Sequence, residues 1–204
     1  MSKSNKVAWL RVGGSIGLLT PVSALLFIGL AIASYPEFSW VDNALSDLGV
    51  VAGVTSILFN FGLFVSGLFS LVFSLGLFKF LDEHVVGKVG AAFFVLASLA
   101  LEGIGGFPEN VRPFHFVFSV AFFVLVPIAL LVIAGYYLLT RQRRMFTFTL
   151  FMAFAAAAPW ILQYLFHYVS GVAVPEAVSA LVASVWVLVL SGKMLRYASR
   201  AKTP

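Results

Sequence analysis

Six stretches of this chain are apolar over about 20 residues or more, the length a helix needs to cross the hydrocarbon core of a bilayer. They fall at 12–35, 54–79, 87–106, 114–139, 146–168 and 176–195, and charged or turn-forming residues interrupt the pattern between them. Lys79 to Lys88 carries Asp82, Glu83 and His84, while Arg141-Gln142-Arg143-Arg144 parts the fourth run from the fifth. The other links hold Pro36, the stretch from Pro108 to Pro113, and Gly171 with Pro175. Composition agrees with that pattern. Hydrophobic residues make up 61% of the chain and charged residues 10%, with a mean hydropathy of +1.04; a soluble domain has about 45–50% apolar and about 25% charged residues. A chain so poor in polar residues cannot cover itself against water, which excludes a soluble fold and a disordered one. The expected fold class is all-α: a polytopic integral membrane protein, multi-pass in the cell membrane, with 1–204 as a single six-helix transmembrane domain. No Cys is present, so disulfides, thiol nucleophiles and cysteine metal sites are excluded.

Orientation follows from the placement of Lys and Arg, which favour the cytoplasmic side of short links. With a cytoplasmic amino terminus, Lys3, Lys6, Arg11, Lys79, Lys88, Arg141, Arg143, Arg144, Lys193, Arg196, Arg200 and Lys202 all fall inside, and of the 13 basic residues only Arg112 falls outside. Both termini are therefore expected in the cytoplasm. The net charge of +5 is a topology signal; no nucleic-acid partner is expected, because the basic residues sit beside membrane ends and not on one recognition surface. Ala31-Ile32-Ala33 resembles a signal-peptide cleavage site. The apolar run before it exceeds the 7–15 residues, roughly, of a signal core, so the first span is expected to be uncleaved.

Acidic residues cluster opposite the basic ones. Glu37, Asp42, Asp47, Glu109 and Glu176 lie in or beside the outer links, and Glu102 lies about one turn inside the outer end of the third span, where an ionisable group is a functional candidate. His115 and His167 map to the outer ends of the fourth and fifth spans, with Arg112 beside them. Between spans one and two, Ser39 can cap a short interfacial helix with Asp42 three residues on, and Gly49 supplies its stop. Trp40, Val41, Ala44, Leu45 and Leu48 would form its apolar face, and Asp42, Asn43, Ser46 and Asp47 its polar face. In the second span, Gly62, Ser66, Ser70 and Ser74 recur every four residues, a close-packing ladder, and Asn60 is an amide that must find an inter-helix partner. Pro127 and Pro159 should kink the fourth and fifth spans. Gln163 and His167 share a face of the fifth.

The run Asn43-Ala44-Leu45-Ser46-Asp47-Leu48-Gly49, then Phe59-Asn60, then Gly106-Phe107-Pro108 followed by His115, resembles the membrane family known as domain of unknown function 998. The likeness spans nearly the whole chain. A remoter one, on Ser46-Asp47, is to autophagy-modulator and GPI-lipid-remodelling membrane proteins. The resemblance implies six spans with a motif cluster on the outer side, and brings no established activity.

Function must then be argued from that cluster. The first expectation is a pocket that binds or processes a lipid head group or small polar ligand. Ser46, Asp47, Glu102, His115 and His167 are its catalytic candidates; Asp42, Asn43, Asn60, Arg112 and Gln163 are its binding candidates. Arg112 would clamp a phosphate or carboxylate. His115 and His167 with Asp47 or Glu102 could ligate zinc with one position open for an activated water. A non-catalytic subunit or scaffold, with other membrane subunits as partners beside lipids, is the alternative. A transporter or channel ranks third, because below the outer ends the spans offer little polarity beyond Asn60 and scattered hydroxyls and no paired interrupted helices.

Overall fold

A computed structural model describes residues 3–201; Lys202, counted above among the basic residues, lies outside them. Six long helices and one short 3-10 helix, Leu45–Val50, are present, with no strand among the described residues. The long helices are α1 (Lys3–Ala33), α2 (Val54–Phe80), α3 (Val85–Gly106), α4 (Phe114–Leu139), α5 (Arg143–Phe166) and α6 (Ala173–Arg200). All six are long and apolar enough to cross a membrane, so the chain is a multi-pass membrane protein. α1 and α6 outrun their apolar stretches at the charged end. Hydropathy marks only the part of a helix that suits lipid, whereas the backbone bonds continue: α1 has 31 residues, about 45 Å at 1.5 Å per residue, against a hydrocarbon core of about 30 Å. Its polar start stands clear of that core, and Lys6 pairs with Asp82 of the α2–α3 link at 2.5 Å.

Each helix packs on the next, and α6 returns to α1, closing a ring. The links 34–53, 107–113 and 167–172 gather at one end, called here the acidic end. The termini and the links 81–84 and 140–142 gather at the basic end. Inside the ring, Phe73, Phe94 and Trp186 meet edge to face or tilted, with centroids 5.2 to 6.3 Å apart. Trp186 is fully buried and donates its indole N–H to Thr149 Oγ1 at 3.2 Å, so α2, α3, α5 and α6 are all tied at this plug. Several polar groups within the spans are matched in pairs. Ser23 bonds Ser66 and Ser70 bonds Ser98, each at 2.8 Å, and Ser66 also donates to the carbonyl of Gly62. The four-residue ladder of α2 is thus a packing seam.

Only 22% to 50% of the most apolar window of each span is buried within the ring. The remaining apolar surface faces outward on every helix, which is tolerable in acyl chains and not in water. Where helices meet, small residues set the spacing. A Cβ on Gly105 would stand 2.6 Å from the Asn60 carbonyl and closer still to the Phe64 amide, both backbone atoms of α2 that cannot move aside. Gly29 on α1 has nothing within 4 Å. Gly105→Ala is therefore expected to destabilise the protein by about 2 kcal/mol or more. Gly29→Ala should be neutral or stabilising by up to about 1 kcal/mol; thermal unfolding of both variants in one detergent checks the contrast.

Candidate functional site

The link after α1 does not form the helix expected from Ser39. Ser39 Oγ does accept the amide of Asp42, at 3.2 Å, and donates to its carboxylate at 2.7 Å, but these bonds close a turn. Helical geometry starts only at Leu45, because Asp47 folds back to accept the amide of Ala44 at 2.9 Å. Gly49 lies inside this 3-10 helix, not beyond it. Its small size serves contact: a Cβ there would meet Asn60 Oδ1 at 2.6 Å. Trp40 and Val41 are exposed in the preceding turn, while Leu45 and Leu48 are buried.

Several of the expected binding residues hold this end together. Asn43 accepts the amide of Ser39 at 2.9 Å and donates to Asp47 at 2.8 Å. The Asn43 carbonyl takes the amides of Val172 and Ala173, and the Val41 carbonyl takes that of Gly171 at 2.6 Å. Gly171 is required by this approach, since a Cβ would sit 2.6 Å from the carbonyl carbon of Asp42. Gln163 donates to the carbonyls of Val169 and Gly171, at 2.8 and 3.2 Å, and shapes the α5–α6 link. Asn60 donates to the Gly49 carbonyl at 2.8 Å, fastening the 3-10 helix to α2. Asp42 is exposed and bonds only locally, to Ser39.

That scaffold brings three carboxyls together from three parts of the chain: Asp47 in the 3-10 helix, Glu109 in the α3–α4 link, and Glu176 in the first turn of α6. Glu176 is buried and accepts the amide of Leu45 at 2.6 Å, so α6 carries the acid to the start of the 3-10 helix. Glu109 faces Asp47 and Ser46 and also senses His115. Burial, reinforced by the charge of Asp47, raises its pKa above the ordinary carboxyl value. Facing carboxyls can bond each other only when one of them carries a proton, and the same burial and facing charge make Glu109 easier to protonate than an ordinary carboxyl. His115 is buried, with Nδ1 2.7 Å from the carbonyl of Phe107. A carbonyl only accepts, so Nδ1 donates to the backbone and Nε2 is the ring nitrogen left without a partner.

A cavity of about 710 Å³ opens beside these groups. Ser46, Glu109, Arg112, His115 and Glu176 make its polar end, and Phe116, Val120, Val124 and Trp160 its apolar wall. Ser46, Ser119, Phe123 and Glu176 also wall a smaller cavity of about 100 Å³ that reaches inward as far as Phe94 of the plug. Three buried polar atoms on the larger cavity's residues lack a partner: His115 Nε2, Glu109 Oε2 and Trp160 Nε1. Arg112 is exposed at the rim.

The remaining candidates stand apart from this cavity. Glu102 packs against Gly67 of α2, and its Oε1 is buried without a partner; it forms no ion pair with Arg112. His167 ends α5 in a left-handed conformation and is exposed. Among the described residues, no group of three or more His, Asp or Glu is arranged to hold a metal ion. Glu109 and Glu176, both central here, were not among the sequence candidates. Glu176 looked like the boundary of the sixth run, but α6 begins three residues earlier and takes it indoors. The signal for Glu109 was its place between Pro108 and Pro113, a link too short to carry it away from its neighbours.

A family described as protein of unknown function (DUF998) matches residues 18–193. The chain belongs to that family. The match takes in the plug and every residue of the acidic-end cluster. No curated protein and no solved structure matches the chain.

The raised pKa of Glu109 sets a pH dependence. The folded chain holds this proton more tightly than the unfolded chain, so the stabilisation is fully present below the ordinary carboxyl value of 4.5 and is lost as pH rises through the raised value. Melting temperature is accordingly expected to fall over that interval in the wild type. In Glu109→Gln the fall should be smaller, because an amide has no proton to lose; melting curves across the acid range test this.

Proposed function

We propose that the acidic-end cavity binds the polar head of a membrane lipid or a small polar ligand. In this reading the protein sits in the cell membrane with both termini cytoplasmic, which turns the acidic end outward. The observation that carries the reading is the cavity's division into two parts. At its mouth are a buried histidine and a half-buried carboxyl, each with a buried atom lacking a partner; below them Phe116, Val120 and Val124 follow one another at four-residue spacing along an exposed face of α4. An amphipathic molecule matches both parts, with its hydrocarbon along α4 and its polar groups between Ser46, His115 and Glu109. Arg112 at the rim offers a bidentate contact to a phosphate or carboxylate. Unpaired polar atoms in a buried site cost free energy, so a ligand that pairs them is favoured over an empty site.

What supports binding over passage is the plug. The inward cavity stops at Phe94, and beyond it the interior is filled by aromatic and aliphatic side chains. Ser46, His115 and Glu109 also bring a hydroxyl, an imidazole and a carboxyl into one cavity, the group types a hydrolytic or transfer reaction on a bound head group would use.

Lipid analysis of gently purified protein tests the reading. The wild type should retain one lipid class well above its share of the membrane. Ser119→Trp, which fills the cavity, should retain roughly tenfold less, a change of about 1.4 kcal/mol in binding. Phe151→Trp, on an exposed face of α5, should retain as much as the wild type. Equal retention in all three proteins, or no enriched class, overturns the proposal.

A further inference from the structure

The basic end holds a second hollow, also of about 710 Å³, between the first turns of α1 and the last turns of α2, α4 and α6. Lys6, Lys193, Arg196 and Arg200 line it, with Glu83 as the carboxylate on its wall. Lys193, Arg196 and Arg200 are spaced three and then four residues apart, so α6 presents them along one face. Lys6 completes the set from α1 and is held in place by Asp82 at 2.5 Å. A bias of basic residues toward the cytoplasmic side accounts for cations at this end of the bundle. It does not account for their gathering around one hollow.

The second observation concerns Tyr137. This residue forms part of the hollow's wall, is only 1% exposed, and its hydroxyl has no hydrogen-bond partner. Its neighbour Tyr136 differs, since its hydroxyl is engaged by Glu83. A buried phenol left unpaired in the wall of a hollow that four cations also line is a donor without an acceptor. The missing component is therefore an anion rich in acceptor oxygens, small enough to reach below the guanidinium groups.

We infer that the basic-end hollow binds a phosphate monoester group, carried by a lipid head or by a small soluble molecule. Arg196 and Arg200 can each give two parallel N–H bonds to phosphate oxygens, Lys193 and Lys6 add point charges, and Tyr137 donates from the buried side. With Lys6 balanced by Asp82, the three cations Lys193, Arg196 and Arg200 still exceed Glu83, and the dianionic form suits that surplus. This site lies at the opposite end of the bundle from the acidic cavity and does not depend on the reading given to that cavity.

The experiment uses the full chain in nanodiscs of phosphatidylcholine. Melting temperature is measured with inorganic phosphate, against chloride at equal ionic strength, and separately with phosphatidic acid mixed into the nanodisc. Ligand that binds only the folded state raises the melting temperature. A rise with phosphatidic acid alone assigns the site to a lipid head; a rise with inorganic phosphate assigns it to a soluble phosphate. Tyr137→Phe is the critical variant. Removing an unpaired buried hydroxyl should leave the ligand-free protein at least as stable as the wild type, while the apparent Kd for the effective probe rises about tenfold. Arg196→Gln with Arg200→Gln, both at exposed positions, should abolish the shift. No rise with either probe overturns the inference, as does an equal rise in the wild type and both variants.

Discussion

Every polar group carried into the hydrocarbon region must find its partner inside the bundle, because lipid supplies none. Most of this structure follows from how the chain meets that demand. Serines on α1, α2 and α3 pair across the helix seams, and Trp186 finds Thr149. Small residues bring the backbones close enough for such short side chains to reach, as at Gly62 and Gly105. Some buried polar atoms stay unpaired: those of Glu109, His115 and Trp160 lie on the acidic-end cavity and that of Tyr137 on the basic-end hollow, while those of Asn60, Glu102 and Ser191 lie elsewhere in the helices. Unmet hydrogen-bonding capacity at the two hollows is costly unless something occupies them.

At the acidic end the site depends on two links docking on each other. The turn before the 3-10 helix offers its Val41 and Asn43 carbonyls to the amides opening α6, and Gly171 permits the approach. This contact delivers Glu176 to Leu45 and so fixes the 3-10 helix that carries Ser46 and Asp47. Three carboxyls cannot all ionise in one buried cluster at reasonable cost. The raised pKa of Glu109, caused by burial and by the facing charge of Asp47, is one physical consequence.

Much of the architecture could be read without coordinates. Hydropathy over about 20 residues is a local property that any six-span chain must display, so the helices and their order were legible. The packing ladder of α2 was legible too, because four-residue spacing places its members on one face whatever the neighbours are. The interfacial helix was displaced by several residues, since both Ser39 and Asp47 can bond a nearby amide and only the contact with Glu176 decides which one starts the helix. Asn60 was legible as an amide in need of a partner, whereas Asn43 and Gln163 were singled out only as binding candidates. Their partners are backbone groups of neighbouring segments, which no spacing rule could have indicated.

The sequence by itself determined that this is a multi-pass helical membrane protein, that most acidic and most basic residues part to opposite ends, and that Ser46, Asp47 and His115 lie at the same end. Those statements rest on the periodicity and length of single segments. Only the tertiary structure decided that Glu109 and Glu176 join Asp47, that Glu102 and His167 stand away from the cavity, and that Tyr137 is left unpaired in the wall of a hollow that cations line. Each of these depends on distances between residues far apart in the chain, and such distances are set by helix packing and link docking, which spacing along the sequence does not encode.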